Sequence, residues 1–233
     1  MKNIAILIPV HNHLSHTKKC IRALEGLVRM ERPVHSNYHI VVVDDGSTDG
    51  TFERVKGLDD SRIRLFRIER SYRYPPTARN HWLAGPVMAL NESLKHVMGE
   101  WIARIDDDDI WTDDHLESLL VCAKLTGAEF VSASYIEERM GVRTVMDHID
   151  IMPRIGGIGT WLYKAYLRFF QYNINCWRKS WNAVNDTDIA DRMYKAGVNM
   201  VYLDKVITYI LPRPGEKTIG LDAYLERDKD EAV

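Results

Sequence analysis

The sequence predicts an α/β protein whose central sheet is mostly parallel and is flanked by helices. Two apolar runs rich in β-branched residues, IAILIPV (4–10) and YHIVVVDD (38–45), have the composition of buried strands, and helical patterns follow them. Strands that alternate with helices favour βαβ units, in which the strands are parallel. Polar residues follow three of the predicted strands, and such sheets bind ligands at the carboxyl ends of their strands. We therefore expect a binding site along that edge.

The first half of the chain is the more regular one. The polar residues His11 and Asn12 end the first strand, and GSTDGT, which is dense in turn residues, ends the second. Gly99 is the expected end of the helix that begins at Val87. The predicted elements are, in order, strand 4–10, helix 14–30, strand 38–45, helix 51–58, strand 62–69, loop 70–86, helix 87–98 and strand 101–106.

The second half is less regular. The predicted elements are, in order, strand 128–140, loop 146–160, a mostly helical aromatic segment 161–172, helix 185–197 and a strand or strand pair 198–211. An Asn or Asp cap opens the last helix and Gly197 ends it. The aromatic segment is expected to pack on the sheet. The alternative is a platform on which sugars stack, a role for which Trp177 and Trp181 are further candidates.

Composition and charge exclude several classes of protein. The net charge of −2 comes from 31 basic and 33 acidic residues, so no overall field favours nucleic acid. Three widely spaced cysteines argue against a disulfide framework and a thiolate zinc site, and the histidines show no HExxH spacing. The chain has no apolar run of the length that crosses a bilayer and no signal peptide pattern at its start. We expect a cytoplasmic protein without a transmembrane segment.

Four consecutive aspartates, 106–109, continue the buried strand WIARID. Capping of the next helix does not explain them, because Asp113 and Asp114 stand directly before that helix. Adjacent carboxylates repel one another unless a cation neutralises them. Mg²⁺ and Mn²⁺ prefer oxygen ligands and commonly bridge one or two carboxylates to phosphate groups. Two aspartates of this run, spaced Asp-x-Asp, therefore predict a Mg²⁺ or Mn²⁺ site.

A second acidic pair, Asp44 and Asp45, ends the predicted strand 38–45. The turn residues 46–49 explain a strand–turn–helix junction but do not explain a doubled aspartate at the strand end. An aspartate at this position can accept hydrogen bonds from a base or a ribose. The pair by itself leaves both interpretations open.

Four segments in this order resemble glycosyltransferase family 2: ILIPVHN, IVVVDDGSTDGT, ALNESLKHVMGEWIARIDDDD and NDTDIADRMYKAG. The resemblance covers nearly the whole chain and is densest over residues 4–111. It implies the GT-A fold, a single Rossmann-like α/β domain over residues 1–233. In that fold the half formed by 1–111 would bind a nucleotide-sugar, and the half formed by 112–233 would bind the acceptor.

The resemblance also implies roles for individual residues. Asp106 would contact the ribose, Asp108 would hold the cation that bridges the diphosphate, with Asp106 as a second candidate ligand, and Asp186 would be the general base. One aspartate of the 44–45 pair would bind uracil or an equivalent base. The residues expected at the nucleotide are Pro9, His11, Asn12, Asp44, Asp45, Asn91, Asp106 and Asp107.

The sequence departs from the family pattern before the helix 185–197. Family members often have Glu-Asp at this point, whereas this chain has Asn185 and Asp186. Asp186 has the alternative role of a helix cap, and Asp188 is then the fallback base. Arg79 and Arg213 are weaker candidates for phosphate contacts. The Gln-x-x-Arg-Trp motif and the membrane helices of processive members are not found, which favours transfer of a single sugar.

These observations predict a metal-dependent, inverting glycosyltransferase. The expected donor is a nucleoside diphosphate sugar with uridine as the expected base, and the expected acceptor is a hydroxyl of a glycan or a lipid-linked molecule. Lys164 and Arg168 would meet anionic headgroups if the enzyme touches a membrane peripherally. Two alternatives remain open. A sugar nucleotidyltransferase needs a glycine-rich triphosphate loop that IPVHNHLSHTKK lacks, whereas a non-catalytic relative that binds a nucleotide-sugar or glycan is compatible with Asn185.

Overall fold

The computed structural model describes residues 3–12, 23, 26–27, 37–146, 153–181 and 183–231. Within these residues nine strands form one sheet with the order β3-β2-β1-β4-β8-β6-β9-β5, and β7 pairs with β6 outside this path. The strands are β1 (Asn3–Val10), β2 (Asn37–Asp45), β3 (Ile63–Ile68), β4 (Trp101–Arg104), β5 (Ile110–Trp111), β6 (Phe130–Arg139), β7 (Val142–Met146), β8 (Leu162–Lys164) and β9 (Met200–Ile210).

The described α-helices follow the strands of the first half and flank those of the second. They are α1 (Thr51–Lys56), α2 (Ala78–Ala84), α3 (Val87–Lys95), α4 (His115–Thr126), α5 (Asn185–Lys195) and α6 (Gly220–Glu231). Three short 3₁₀ helices lie at Ile158–Thr160, Ala165–Phe169 and Cys176–Arg178. No helix in the described part of the chain is both long and apolar enough to span a membrane.

The first half forms the parallel part of the sheet. β1 lies between β2 and β4 and is parallel to both, and β3 adds to the far side of β2. In the register of these strands, Val10 is opposite Asp44 and Leu7 is opposite Arg104. The ends of β1, β2 and β4 therefore meet at one edge of the sheet. This arrangement confirms the predicted α/β class and the parallel order of the first strands.

Both faces of the sheet are buried. Ile4, Ile6 and Ile8 belong to one core cluster with Leu119 of α4, and Leu7 belongs to a second cluster with Leu90 of α3. Because apolar clusters cover both faces here, the runs 4–8 of β1 and 40–43 of β2 are buried and apolar at every position and do not alternate. This explains the uninterrupted hydrophobic runs in the sequence.

Antiparallel pairing involves β4 and the strands that follow it in the chain. β8 is antiparallel to β4 on one side and to β6 on the other, and β5 is antiparallel to β9. β6 and β9 are parallel, with register shifts near Ser134 that mark a bulge. The segment 198–211 therefore contains one long strand, β9, and not a strand pair.

The prediction of a mostly helical segment over 161–172 was wrong. Residues 162–164 form β8, and a 3₁₀ helix follows over Ala165–Phe169. Tyr163 lies opposite Ile102 of β4 and Phe130 of β6, so β8 fills the place between these two strands. Backbone pairing on both sides overrides the local helical pattern.

In the first half, two predictions differ from the structure, and a third lies largely outside the described residues. The predicted loop 70–86 contains α2, whose seven residues lie between the prolines at either end of the segment. α3 ends at Lys95 and not at Gly99. The predicted helix 14–30 lies largely outside the described residues, of which Ala23, Gly26 and Leu27 are helical.

Candidate active site

A cleft of about 910 Å³ opens at the edge where β1 and β4 end. Its size is within the usual range of small-molecule sites. Most of the lining residues form two groups according to their place in the chain. The strand-end group consists of residues 9–12 at the end of β1 and 106–109 after β4. The second-half group consists of 135, 137, 139, 157–158, 184–187, 210–211, 213, 216 and 219–224.

The strand-end group begins at the end of β1, where Pro9 of the strand and His11 and Asn12 of the following turn line the cleft. Asn12 has a positive φ of 49°, and its side-chain oxygen accepts a hydrogen bond of 2.8 Å from the Thr48 N–H. The Asn12 N–H in turn donates to the Ser47 hydroxyl at 2.9 Å. These two bonds fix the end of β1 against the turn that follows β2.

Asp44 and Asp45 are buried and do not line the cleft themselves. Asp44 accepts hydrogen bonds from the Ser47 N–H and lies 3.1 Å from the guanidinium of Arg67. One oxygen of Asp45 accepts from Arg70 and, at 2.9 Å, from the Tyr74 hydroxyl. The other oxygen is buried and has no hydrogen-bond partner among the described residues. Burial raises the pKa of Asp45, and Arg70 opposes this shift.

Asn91, predicted near the nucleotide, lies in α3 and does not line the cleft. Its Nδ2 donates to the Tyr172 carbonyl at 2.9 Å, and its Oδ1 accepts from the Tyr172 N–H at 2.8 Å. Both polar atoms of the amide are thus used to fasten residue 172 to α3.

The aspartate run forms a tight turn after β4, closed by a 3.1 Å bond from the Asp109 N–H to the Asp106 carbonyl. All four aspartates line the cleft. Asp107 and Asp109 are each 3% exposed, whereas the side chains of Asp106 and Asp108 are 37% and 23% exposed. The two carboxylates of the Asp-x-Asp spacing are therefore the more accessible ones.

Two arginines pair with these accessible carboxylates, one from the end of β4 and one from more than a hundred residues further along the chain. Arg104 Nη2 donates to Asp106 Oδ1 at 2.9 Å, and Arg213 Nε donates to Asp108 Oδ2 at 2.6 Å. Negative charge nevertheless remains in excess. The pKa of Asp109 is raised well above its usual value, first by burial and then by Asp108, Asp106 and Asp107.

The site is compatible with a divalent cation. Within the described residues no three His, Cys, Asp or Glu side chains form a complete metal cluster. Asp106 and Asp108 nevertheless present partly exposed carboxylates to the cleft, in a run of four aspartates whose negative charges a cation would neutralise. Mg²⁺ and Mn²⁺ commonly bind one or two carboxylates and complete their shell with phosphate and water. The donor set therefore fits such an ion.

Asp186 belongs to the second-half group and lies in the first turn of α5. Helix α5 begins at Asn185 after Val184, so neither Asn185 nor Asp186 is the cap that the sequence predicted. One oxygen of Asp186 accepts a 2.7 Å bond from the Thr187 N–H. Burial raises the pKa of Asp186, and the positive charge of Arg104 opposes that shift.

Asn185 has a structural role that an acidic residue cannot fill. Its Nδ2 donates to the carbonyls of Gly85 and Leu83, at 2.7 and 3.3 Å. A carboxylate has no hydrogen to donate to these two acceptors. The departure from the family pattern therefore coincides with a contact that only the amide can make.

Arg104 connects the two groups of lining residues. The side chain is buried, contacts Asp106 on one side, and approaches Asn185 Oδ1 at 3.5 Å on the other. Its guanidinium also lies 5.5 Å from the centre of the Tyr172 ring. Sequence reasoning missed Arg104, although a charged residue inside the apolar run WIARI was a visible signal.

Other lining residues that sequence reasoning missed come from β6, α2 and α6. Arg139 of β6 donates to the Thr218 hydroxyl, the Ile219 carbonyl and the Asp222 carboxylate, at 3.2–3.3 Å. These bonds hold the start of α6 beside the cleft. Trp82 and Tyr224 also line it. No sequence motif marks these residues, because their proximity depends on tertiary packing.

The remaining candidates lie elsewhere. Asp188 is buried and forms ion pairs with Lys179 and, at 2.9 Å, with Arg192, so it is not in the cleft. Lys164 pairs with Glu100, and Arg168 donates to the Val97 carbonyl. Three further candidates, Arg79, Trp177 and Trp181, do not line the cleft.

Comparison with known families gives one match that covers most of the chain. The model of "Glycosyl transferase family 2" matches residues 5–185. The chain is 29% identical over 133 residues to an uncharacterized glycosyltransferase of Rickettsia felis, an alignment that covers 57% of this chain and 19% of that protein. It is 27% identical over 132 residues to the Escherichia coli UDP-Glc:alpha-D-GlcNAc-diphosphoundecaprenol beta-1,3-glucosyltransferase WfgD, covering 57% of this chain and 45% of that protein. The chain thus aligns with less than half of each of these relatives.

Two solved structures have a similar fold. Staphylococcus aureus TarS 1–349 in complex with UDP matches with a TM-score of 0.67 at 19% identity, covering 91% of this chain and 61% of that one. The mannosyltransferase PcManGT of Pyrobaculum calidifontis, in complex with GDP-Man and Mn²⁺, matches with a TM-score of 0.59 at 16% identity, covering 90% and 56%. At these identities the similarity concerns the fold.

Proposed function

The chain belongs to glycosyltransferase family 2 and has a GT-A fold, and we propose that it is an inverting glycosyltransferase. In this proposal it moves one sugar from a nucleoside diphosphate sugar to a hydroxyl of a glycan or lipid-linked acceptor. One observation carries the proposal. The accessible carboxylates Asp106 and Asp108 and the half-buried carboxylate Asp186 line the same cleft, and Arg104 lies between the strand end and α5.

Asp186 is the proposed general base. Glycosyl transfer with inversion needs a group that takes the proton from the acceptor hydroxyl as that oxygen attacks the sugar. Burial raises the pKa of Asp186, which makes the carboxylate a stronger base, while Arg104 favours the ionised form that can accept the proton. Asp188, the fallback, is engaged by Lys179 and Arg192 and is remote from the cleft lining.

The strand-end group is the proposed nucleotide-binding part. Pro9, His11 and Asn12 line the cleft beside the aspartate run, and Arg70 lines it while holding Asp45. The buried oxygen of Asp45 without a partner is the kind of acceptor that an N–H of a nucleotide base would satisfy. Asn91 remains a predicted nucleotide contact, although its amide is used by Tyr172.

A divalent cation, Mn²⁺ or Mg²⁺, would be held by Asp108 and Asp106. When bound, it would supply positive charge that stabilises the departing diphosphate. The chain itself contributes Arg104 and Arg213, whose guanidinium groups hold the two carboxylates in place at the edge of the cleft.

Uridine is the proposed base and a glycan or lipid-linked hydroxyl the proposed acceptor. TarS is described in complex with UDP, PcManGT with GDP-Man, and the relative WfgD acts on a diphosphoundecaprenol-linked sugar. In this chain Trp82, Tyr135 and Tyr224 line the cleft, and aromatic faces suit the apolar face of a sugar ring. We also place the reaction in the cytoplasm, with peripheral contact to a membrane if the acceptor is lipid-linked.

The non-catalytic alternative is weakened by the contacts of Asn185. That residue was the reason to consider a relative that binds without turnover. Because its amide bonds two backbone carbonyls, the loss of an acidic residue has a structural cause that leaves Asp186 in the cleft.

The proposal is tested by titrating nucleoside diphosphates, and then their sugars, into the protein in a calorimeter with Mn²⁺ and with EDTA. We expect tight binding of one nucleotide that depends on Mn²⁺ and is lost in Asp108→Ala. The matched control is Asp113→Ala, an exposed aspartate outside the cleft. If no nucleotide binds under either condition, the transferase proposal is wrong.

If the best donor is found, product analysis completes the test. With a soluble acceptor sugar, the anomeric configuration of the new bond is read by NMR. Inversion relative to the donor supports a single displacement with Asp186 as the base, and retention contradicts it.

A further inference from the structure

The pair of Arg213 and Asp108 differs from the other arginine pair in the cleft. Arg213 lies in the segment between β9 and α6. A 2.9 Å hydrogen bond from the Glu216 N–H to the Arg213 carbonyl closes a turn there. Its Nε donates to Asp108 Oδ2 at 2.6 Å. The side chains of Arg213 and Asp108 are 16% and 23% exposed, so solutes in the cleft can reach both partners.

Arg104, in contrast, is enclosed by its surroundings. It extends from β4, its side chain is 3% exposed, and it contacts Asp106, Asn185 and the ring of Tyr172. Moving it would leave a buried guanidinium without these partners, which is unfavourable. Arg213 is less enclosed, because its side chain is more exposed than that of Arg104 and its ion pair with Asp108 borders the cleft.

Asp108 is also the residue proposed to hold the divalent cation. A guanidinium and a cation cannot both occupy the same carboxylate oxygen at contact distance, because their positive charges repel each other. A donor diphosphate would bring negative charge to the same place. Guanidinium groups bind phosphate oxygens well, often through two parallel hydrogen bonds.

We propose that Arg213 is an exchangeable counter-ion of Asp108. It occupies the carboxylate before the donor binds, and it moves to the diphosphate of the donor when the cation takes Asp108. This inference rests on the proposed function, since it assumes a nucleoside diphosphate donor and a divalent cation. It assigns to Arg213 two successive partners in one binding event.

The exchange has a thermodynamic consequence. The cation alone binds weakly, because it displaces Arg213 without offering it a new partner. The nucleotide alone also binds weakly, because Arg213 remains on Asp108. Together they bind tightly, so each raises the affinity for the other by the same factor. Arg213 is then a source of positive coupling between cation and nucleotide.

The test measures Mn²⁺ and nucleotide affinities separately in wild type and Arg213→Gln. Mn²⁺ binding alone is followed by the EPR signal of the free ion, and binding of the nucleoside diphosphate that wild type prefers is followed by calorimetry with Mn²⁺ present. We expect Arg213→Gln to bind Mn²⁺ alone at least about 5-fold tighter and the nucleotide at least about 5-fold weaker. An arginine that merely supports the fold would weaken both.

Two further variants keep the test interpretable. Arg213→Lys retains the positive charge, so its Mn²⁺ affinity should stay near that of wild type even if the Gln variant is unstable. Arg143→Gln removes the same charge from β7, outside the cleft, and should change neither affinity.

The outcomes separate this inference from the proposed function. If wild type binds the nucleotide with Mn²⁺ but Arg213→Gln binds Mn²⁺ alone equally or more weakly, the exchange is overturned and the function stands. If wild type binds the nucleotide equally with and without Mn²⁺, the exchange is overturned together with the metal requirement. If wild type binds no nucleotide at all, both the inference and the proposed function are wrong.

Discussion

The two groups of residues that line the cleft are built in different ways. The strand-end group consists of two short stretches, 9–12 and 106–109, that lie at the ends of neighbouring parallel strands. The second-half group draws on β6, α5 and the segment before α6, which are separated by dozens of residues. A parallel sheet brings its strand ends together by topology alone, whereas the second group depends on how separate elements pack.

This difference suggests a division of labour. The strand-end group would bind the donor, and the second-half group would contribute the base and the acceptor contacts. Variants in the two groups should therefore change different measured quantities.

The largest expected effect belongs to Asp186 in the second-half group. Asp186→Asn removes the proton acceptor, and loss of a general base typically lowers the rate by about 10²- to 10⁴-fold. We expect kcat to fall by this amount while the dissociation constant of the donor nucleotide stays unchanged. Both are measured on the same preparation.

The control for this prediction is Asp191→Asn, which makes the same change in the same helix at a residue paired with Lys195 outside the cleft. Its kcat should equal that of wild type. An unchanged kcat in Asp186→Asn would show that the base lies elsewhere.

The next largest effect belongs to Asp108 in the strand-end group, and it should appear in binding. A lost contact to a charged group is worth about 1.5–3 kcal/mol, so Asp108→Asn should weaken nucleotide binding roughly 10- to 100-fold in Mn²⁺. In EDTA, wild type should lose its advantage over the variant, because the cation is then absent from both. Tighter nucleotide binding by wild type that persists in EDTA would contradict a metal role for Asp108.

Arg104 joins the two groups, and its removal should change the pH dependence. The positive charge of Arg104 opposes the rise in the pKa of Asp186, so it extends the ionised form of the base to lower pH. Without that charge the pKa of Asp186 rises further, and the base is protonated over a wider acidic range. The acid limb of kcat/KM in Arg104→Gln should therefore move to higher pH.

Arg104→Lys retains the charge and should keep the limb near its wild-type position. This second variant separates the electrostatic effect from a loss of folding, because Arg104 is buried and its substitution also affects packing. An acid limb that stays in place in Arg104→Gln would mean that Arg104 does not act on the base.

The smallest expected effect concerns stability at the junction of the two groups. Asn185→Asp removes the donor that satisfies the carbonyls of Gly85 and Leu83, and leaving buried acceptors unsatisfied costs about 1–3 kcal/mol. The free energy of unfolding in urea should fall by that amount. The exposed control Asn199→Asp loses a similar bond to the Gly127 carbonyl and should fall by less. Equal losses in the two variants would contradict the proposed role of Asn185.

Much of the strand-end group could be predicted from the sequence. The polar residues after WIAR and IAILIPV were visible as strand ends, and the structure places Pro9, His11, Asn12 and the aspartate run in one cleft. The side chains of Asp44, Asp45 and Asn91 do not line that cleft. They form hydrogen bonds instead with Ser47, Arg70 and Tyr172, respectively. A strand-end position indicates proximity to the edge but does not indicate which way a side chain turns.

The second half was harder to predict because its elements are defined by their neighbours. Residues 161–172 have a helical aromatic pattern, but β8 is required to fill the space between β4 and β6. α2 was missed because the prolines at both ends of 70–86 dominate the local signal. In both cases a tertiary contact outweighs a local preference of a fraction of a kcal/mol per residue.

The sequence by itself determined the α/β class, the order of the first strands, and the four carboxylates at one strand end. Hydrophobic periodicity and turn residues specify these features locally, and parallel topology then brings the strand ends together. Only the tertiary structure decided that Arg104 and Arg213 pair with Asp106 and Asp108, and that Asp186 borders the same cleft. Arg213 and Asp108 are 105 residues apart, and pairing over such a distance depends on the packing of whole elements.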